Sequence, residues 1–276
     1  MAHTAVAMAE PRASGESGTR VSLIDTHCHL NHPRLLRRLP DVLARAGAAG
    51  VSAMIVVGYD LPSSTKAVEL AEKHPELRAA VGVHPHDAAD MSQDDLSEIR
   101  TLARSEAVVA IGETGLDFYR DLSPRAAQEK AFEEHLALAG ELRLPLILHC
   151  REAQTEVLAT LRRLAPTGPV IWHSFDGTLD HARAALDLDL TLGFNGLLTR
   201  RSADALRAVA AWLPADRILL ETDCPYLAPE PRRGKDNEPA NLPMIAEALA
   251  AARRSDPAAL AQATTANAAR IFSLLR

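Results

Sequence analysis

The chain has 276 residues, 47% of them apolar and 24% charged, with 30 Lys and Arg against 36 Asp and Glu for a net charge of −6. That is the mix of an ordinary globular chain with its own core. The acidic balance excludes a protein coated in positive charge for tight nucleic-acid binding, although not a local basic patch. No apolar run approaches the ~20 residues that span a bilayer, so no membrane partner is expected. Three cysteines cannot build a disulfide framework, which points to a reducing, cytoplasmic compartment.

Residues 1–20 are small and polar, lack any period and contain Pro11, Gly15 and Gly18, so they read as a disordered tail. Their apolar stretch around Ala5 to Ala9 is too short for a signal-peptide core. From residue 21 to 276 the chain alternates. Short β-branched or Leu-rich runs at 21–29, 51–58, 77–85, 107–113, 144–150, 169–175, 190–196 and 217–223 predict eight strands. Amphipathic stretches at 34–49, 62–74, 93–105, 124–142, 152–164, 178–187 and 202–212 predict the intervening helices, and 241–276 supplies the last helical segment. Continuous apolar strands between helices indicate a parallel sheet covered on its outer face.

The strand ends fall at His29, Val57, His84, Glu113, His149, His173, Phe194 and Asp223, in steps of 28, 27, 29, 36, 24, 21 and 29 residues. Each step is about one βα unit, and eight units predict an α/β fold closed as a single-domain (β/α)8 barrel over residues 21–276. A doubly wound open sheet would want a Gly-rich phosphate turn after the first strand, where the chain reads HCHLNHP instead.

Polar residues interrupt these strands at their carboxyl ends, which converge on the active-site face of a barrel. They are His27, His29, Glu113, His149, His173 and Asp223. A single buried histidine is usually a hydrogen-bonded core residue, but four imidazoles and two carboxylates at one depth are not explained that way. His27 and His29 lie two apart on a strand and share a face, and strict alternation places Asp25 on that side too. Six ligands exceed the need of one tetrahedral ion. Two divalent cations are therefore expected, with Glu113 able to bridge them; imidazole with carboxylate favours Zn, Mn, Co or Ni, with Mg a weaker occupant. Cys28, Cys150 and Cys224 each adjoin a candidate ligand. The same alternation turns Cys28 toward the helices, so the cysteines read as small buried apolar residues rather than ligands or nucleophiles.

Taken together, IDTHCHLN (24–31), VGVHPHDA (81–88), GETGLDFYRD (112–121), ILHCREA (147–153), WHSFDG (172–177), ILLETDCPYLAP (218–229) and RRGKDNEP (232–239) resemble the TatD family of metal-dependent deoxyribonucleases, among the amidohydrolase-type barrels. The resemblance covers about residues 23–272. It implies a (β/α)8 barrel and metal-dependent hydrolysis of phosphodiesters, as a 3′–5′ exonuclease on DNA. It also implies that His27 and His29 bind a first metal, that His149 and His173 bind a second, and that Glu113 bridges them. Asp223 then binds metal and handles the proton of the attacking water, with Glu221 and Thr222 as supporting neighbours. Asn31 stands where many members carry Asp, past the ligands.

A polyanionic substrate needs cations at the barrel mouth. His84, His86, Arg120, Arg151, Arg200, Arg201, Arg232, Arg233 and Lys235 all follow strand ends and are candidate phosphate-binding groups. Phe118, Tyr119, Phe175 and Tyr226 occupy the same loops and could stack bases. Two other readings exist. One is hydrolysis of a carboxylic ester, lactone or amide on the same metals, which would want an apolar pocket rather than Arg-rich loops. The other is a non-catalytic scaffold, which an intact ligand set argues against.

Overall fold

In the computed structural model, which describes residues 22–274, eight parallel strands lie in the order β1 to β8. They are β1 (Leu23–Cys28), β2 (Val51–Val57), β3 (Leu77–Val81), β4 (Val108–Asp117), β5 (Leu146–Arg151), β6 (Val170–Trp172), β7 (Thr191–Phe194) and β8 (Ile218–Leu220). The helices are α1 (Pro33–Leu36), α2 (Leu39–Ala48), α3 (Leu61–Lys73), α4 (Gln93–Leu102), α5 (Arg125–Leu142), α6 (Gln154–Leu164), α7 (Leu179–Asp187), α8 (Asp204–Trp212), α9 (Leu242–Arg253) and α10 (Pro257–Ile271). The expected barrel is what forms. The tail expected at residues 1–20 lies outside the described residues. Among the described residues no helix is long and apolar enough to cross a membrane.

Strand alternation divides the core in two. Residues such as Met54, Ala79, Leu148, Trp172 and Leu220 face outward and pack under the helices with Phe132, Val157 and Leu249. Ile24, Ile55, Val57, Ala80, Ile147, Ile171 and Leu219 point inward and meet Ala268, Ile271 and Phe272 from the end of α10, which close one end of the barrel. The apolar filling at that end leaves the opposite, carboxyl-terminal end for polar groups. Side chains set the entry to several helices: Asp60 and Ser63 form a reciprocal cap on α3, as do Ser92 with Asp95 on α4 and Thr178 with His181 on α7. Caps of this kind stabilise by about 1 kcal/mol each.

The seam between β8 and β1 is closed by bonds that also position the polar groups. Asp223 N–H donates to His27 O (2.8 Å), His29 N–H to Cys224 O (2.7 Å), and Thr26 Oγ1 to Leu220 O (3.0 Å).

Two expectations fail locally. Strict alternation puts Asp25 beside His27 and His29, but Ile24 is the inward residue and Asp25 faces out. The β1–β2 register shifts between Asp25 and Cys28, and this irregularity resets the parity so that His27 and His29 still face inward. Asp25 is fully buried behind the site, where it accepts from Thr222 N–H (2.9 Å) and Thr222 Oγ1 (2.6 Å). Burial pushes its carboxyl up to about 7 despite those donors. Cys28 faces the helix layer as expected and donates to Ile55 O at 3.2 Å, and all three cysteines are buried and free.

The second failure is the length of β4. It runs to Asp117, past the expected end at Glu113. Gly112 and Gly115 adopt positive φ there, and a side chain on Gly115 would collide with the His149 carbonyl. Glycine is what lets β4 run on tight against β5. Buried Gln128 of α5 then holds the end of β4, accepting from Asp117 N–H (2.8 Å) and donating to Ser123 O (2.8 Å).

Candidate metal centre at the strand ends

The carboxyl-terminal end of the barrel gathers His27, His29, Glu113, His149, His173 and Asp223, and adds His84. His27 Nε2, His29 Nε2, Glu113 Oε2 and Asp223 Oδ1 form a first group. The imidazole nitrogens stand 3.3 Å apart, Glu113 Oε2 lies 3.4 Å from His27 and 3.8 Å from His29, and Asp223 Oδ1 lies 3.9 Å from His27 and 3.4 Å from His29. Donors held about 2.1 Å from one tetrahedral ion stand roughly 3.4 Å from each other. His27, His29 and Asp223 lie close enough together to share a divalent cation, and Glu113 Oε2 stands at similar distances from both imidazoles.

The other oxygen of Glu113 serves a second group. Its Oε1 lies 2.7 Å from His149 Nδ1, 3.7 Å from His173 Nε2 and 3.7 Å from His84 Nε2, and His84 Nε2 is 3.2 Å from His149 Nδ1. His173 stands between the groups: its ring stacks on His27 at 3.5 Å, and its Nε2 is 3.9 Å from Asp223 Oδ1. Most of these side chains are nearly sealed. Asp223 and His149, at 14% and 17% exposed, are the open edge, and a substrate would enter there.

Charge follows from this crowding. Burial alone would raise Glu113, but His84, His27 and His149 outweigh it and hold the carboxyl well below its usual range. Asp223 is likewise lowered, burial being overcome by the bond from His29 and the nearby His173 and His27. Burial depresses the histidines, yet Asp117 and Glu113 raise His149 to about 9 and Glu221 raises His173 to about 10. His84 goes the other way, well down, through burial and the neighbouring His149. His27 is also lowered, by burial and by His173.

Two carboxylates orient the imidazoles from behind. Glu221 Oε1 lies 2.9 Å from His173 Nδ1 and accepts from Ser174 N–H (2.7 Å) and Asn195 Nδ2 (3.2 Å). Asp117 Oδ2 sits 3.1 Å from His149 Nε2 and 2.9 Å from His86 Nε2. Its Oδ1 accepts from Arg120 N–H (2.8 Å), and the two histidines hold the acid far below its usual range against burial. Partners of this kind fix ring orientation and typically change metal affinity 10–100-fold.

The structure redistributes the candidate substrate groups. His84 is buried at Glu113 rather than at the rim: β3 ends at Val81, short of the expected end at His84, and the turn that follows brings His84 beside His149. His86 is spent on Asp117. Arg151 lies over the Tyr119 ring at 4.0 Å and is exposed, as are Arg120, Arg232, Arg233 and Lys235 in the loops, with Arg233 3.8 Å from Glu230. Phe175 is not available to a base: it is buried against Trp172 and Phe194. Phe118 is half-buried under Arg125. Asn31 is structural, donating to Val57 O and Ser63 O at 3.0 Å each. Asp117, which contacts His149 and His86, is the neighbour of the cluster that sequence reasoning misses. Its only signal is its place in GETGLDFYRD, beyond the expected strand end.

The barrel and its histidine-carboxylate cluster define the class of metal-dependent barrel hydrolases. The family model of TatD-related DNases matches residues 24–273. The chain is 42% identical over 259 residues to the 3′-5′ ssDNA/RNA exonuclease TatD of Edwardsiella piscicida, covering 91% of this chain and 100% of that one. It is 41% identical over 253 residues to the metal-dependent hydrolase YabD of Bacillus subtilis, with 91% and 99% covered. The solved structure of YjjV, a TatD homologue of Escherichia coli K12, superposes with a TM-score of 0.87 at 32% identity, covering 92% of this chain and 99% of that one. The chain belongs to the TatD-related DNase family.

Proposed function

We propose that this protein is a two-cation phosphodiesterase that removes nucleotides from the 3′ end of a DNA or RNA strand. The observation that carries the reading is Glu113, whose two oxygens face two separate groups of imidazole and carboxylate donors. His27, His29 and Asp223 would complete one cation site, and His149 and His173, with His84 beside them, the other. Bound there, divalent cations such as Mn or Zn would polarise the phosphodiester and acidify a water molecule. The 3′–5′ direction and the single-stranded substrate are supported by the named activity of the relative from Edwardsiella piscicida. The three free, buried cysteines support a reducing, cytoplasmic setting.

The protein's own groups divide the remaining work. Asp223 is ionised at neutral pH and stands at the open edge, so it accepts the proton that the attacking water loses. Asp117 and Glu221 hold the rings of His149 and His173. Arg151, Arg200 and Arg233, close enough to perturb one another, would offer positive charge to phosphate oxygens. The carboxylic-ester reading is disfavoured by those arginines. Purified protein with Mn²⁺ should shorten a single-stranded oligonucleotide from its 3′ end and hydrolyse bis-p-nitrophenyl phosphate, while leaving a simple aryl ester intact. Faster turnover of the ester than of either phosphodiester would overturn the assignment.

The same arrangement predicts proton release on cation binding. At pH 7.5 His149 and His173 carry protons, their positions being about 9 and about 10. An imidazole must lose that proton to ligate, so cation affinity rises with pH and stops rising once both groups are neutral. Calorimetry in buffers of different ionisation enthalpy should show net proton release on cation binding near neutrality. Release of none would show that His149 and His173 do not give up protons to cations.

A further inference from the structure

Five large apolar or aromatic side chains stand well exposed among the described residues, and two of them, Tyr119 (54%) and Tyr226 (46%), flank the donor groups. Tyr226 lies three residues after Asp223, and its N–H donates to Asp223 O at 2.9 Å. Its ring meets the His29 imidazole edge-on at 6.1 Å. Tyr119 lies two residues after Asp117, and its N–H donates to Asp117 Oδ1 at 3.1 Å, the carboxylate that holds His149. Tyr226 is thus tied through its backbone to the main chain of Asp223 in the first group, and Tyr119 to the Asp117 carboxylate behind His149 of the second.

Each ring also has one face covered by a guanidinium, Arg34 at 5.1 Å over Tyr226 and Arg151 at 4.0 Å over Tyr119. Pairs of this kind are common, about one per 70–80 residues, so position carries the argument rather than number. A ring covered on one side and still about half exposed presents its other face to solvent. Beside Arg151 stands Arg200, whose Nε is buried and without a partner. Burial and the charges of Arg233 and Arg151 depress Arg200, as expected where like charges converge on the place of an anion.

We infer that Tyr226 and Tyr119 are the two jaws of a single-strand clamp, on which the nucleobases either side of the scissile phosphate stack. The inference rests on the phosphodiesterase reading and names the side chains that would grip its single strand. Bases in a duplex are stacked on their neighbours and paired, so only an unpaired strand can offer both faces. Every base has such a face, so the clamp does not discriminate sequence.

The test compares oligothymidylate with the same oligomer made abasic at its last two 3′ residues, which keeps the charge and removes the rings. With Mn²⁺, the full chain should prefer the intact oligomer by about 10-fold or more in kcat/KM. Tyr226→Ala and Tyr119→Ala should each narrow that gap by about 5-fold, while Tyr226→Phe and Tyr119→Phe keep it. Trp212→Ala is the control: Trp212 is 42% exposed and faces Arg183, but lies on α8 away from the strand ends, so the gap should stay. With cations chelated, fluorescence anisotropy of a labelled oligothymidylate should show weaker binding in the two Ala variants and not in the Phe variants. If the wild type cleaves both oligomers equally, or the gap survives in both Ala variants, the clamp is wrong. If the wild type cleaves neither oligomer, it is the phosphodiesterase reading that fails.

Discussion

Glu113→Gln should lose cations from both donor groups and lower kcat on phosphodiesters by about 10³-fold or more, the scale of removing a principal electrostatic element from an active site. The side chain keeps its shape, so the barrel should fold. What disappears is the negative charge shared by the two groups, with Oε2 at 3.4 Å from His27 and Oε1 at 2.7 Å from His149. Amide nitrogen cannot ligate, so at least one group loses a donor outright. The His149 imidazolium also loses one of the two carboxylates that hold it at about 9, so this histidine should titrate lower in the variant. Elemental analysis of dialysed protein and NMR titration of the histidines would read both effects. Wild-type cation content in Glu113→Gln would show that Glu113 does not bridge.

Asp223→Asn should fold and retain at least one cation, with kcat falling about 10²-fold or more, the usual cost of losing a general base. Asp223 sits at a positive φ of 56°, a conformation that Asp and Asn tolerate better than other side chains. The backbone bonds to His27 O and from Tyr226 N–H do not involve the side chain, so the substitution is nearly isosteric. Two other roles are separable from that of a base. If Asp223 acts only as a ligand, excess Mn²⁺ should restore the rate. If it only orders His29, melting temperature and activity should fall together. Full activity at saturating cation would end the general-base role.

The barrel was legible because its strands are unbroken apolar runs spaced by one helix each. The gathering of polar residues at one end was legible because histidines and carboxylates recur at or near the ends of those runs, where burial without partners would be costly. Legibility stopped where the backbone departs from regular geometry. The register shift in β1 moved Asp25 to the outer face while returning His27 and His29 to the inner one, and strict alternation cannot foresee a shift. Gly112 and Gly115 interrupt the apolar pattern of β4, so Asp117 read as loop although it belongs to the strand and holds His149. His84 lay at an expected strand end, but nothing in one dimension shows how far a side chain reaches toward Glu113. Among the loop aromatics, burial of Phe175 and exposure of Tyr226 depend on which neighbours α6 to α8 and the long β8–α9 loop bring, and residue type carries no trace of that.

The most direct test of the central claim is a cation titration of chelator-stripped protein acting on a 5′-labelled single-stranded oligonucleotide. The donor geometry predicts no cleavage before addition and loss of 3′-terminal nucleotides as Mn²⁺ is added, with activity levelling off at two equivalents per chain when binding is tight. Cleavage that persists in stripped protein, or none at saturating cation, would contradict it.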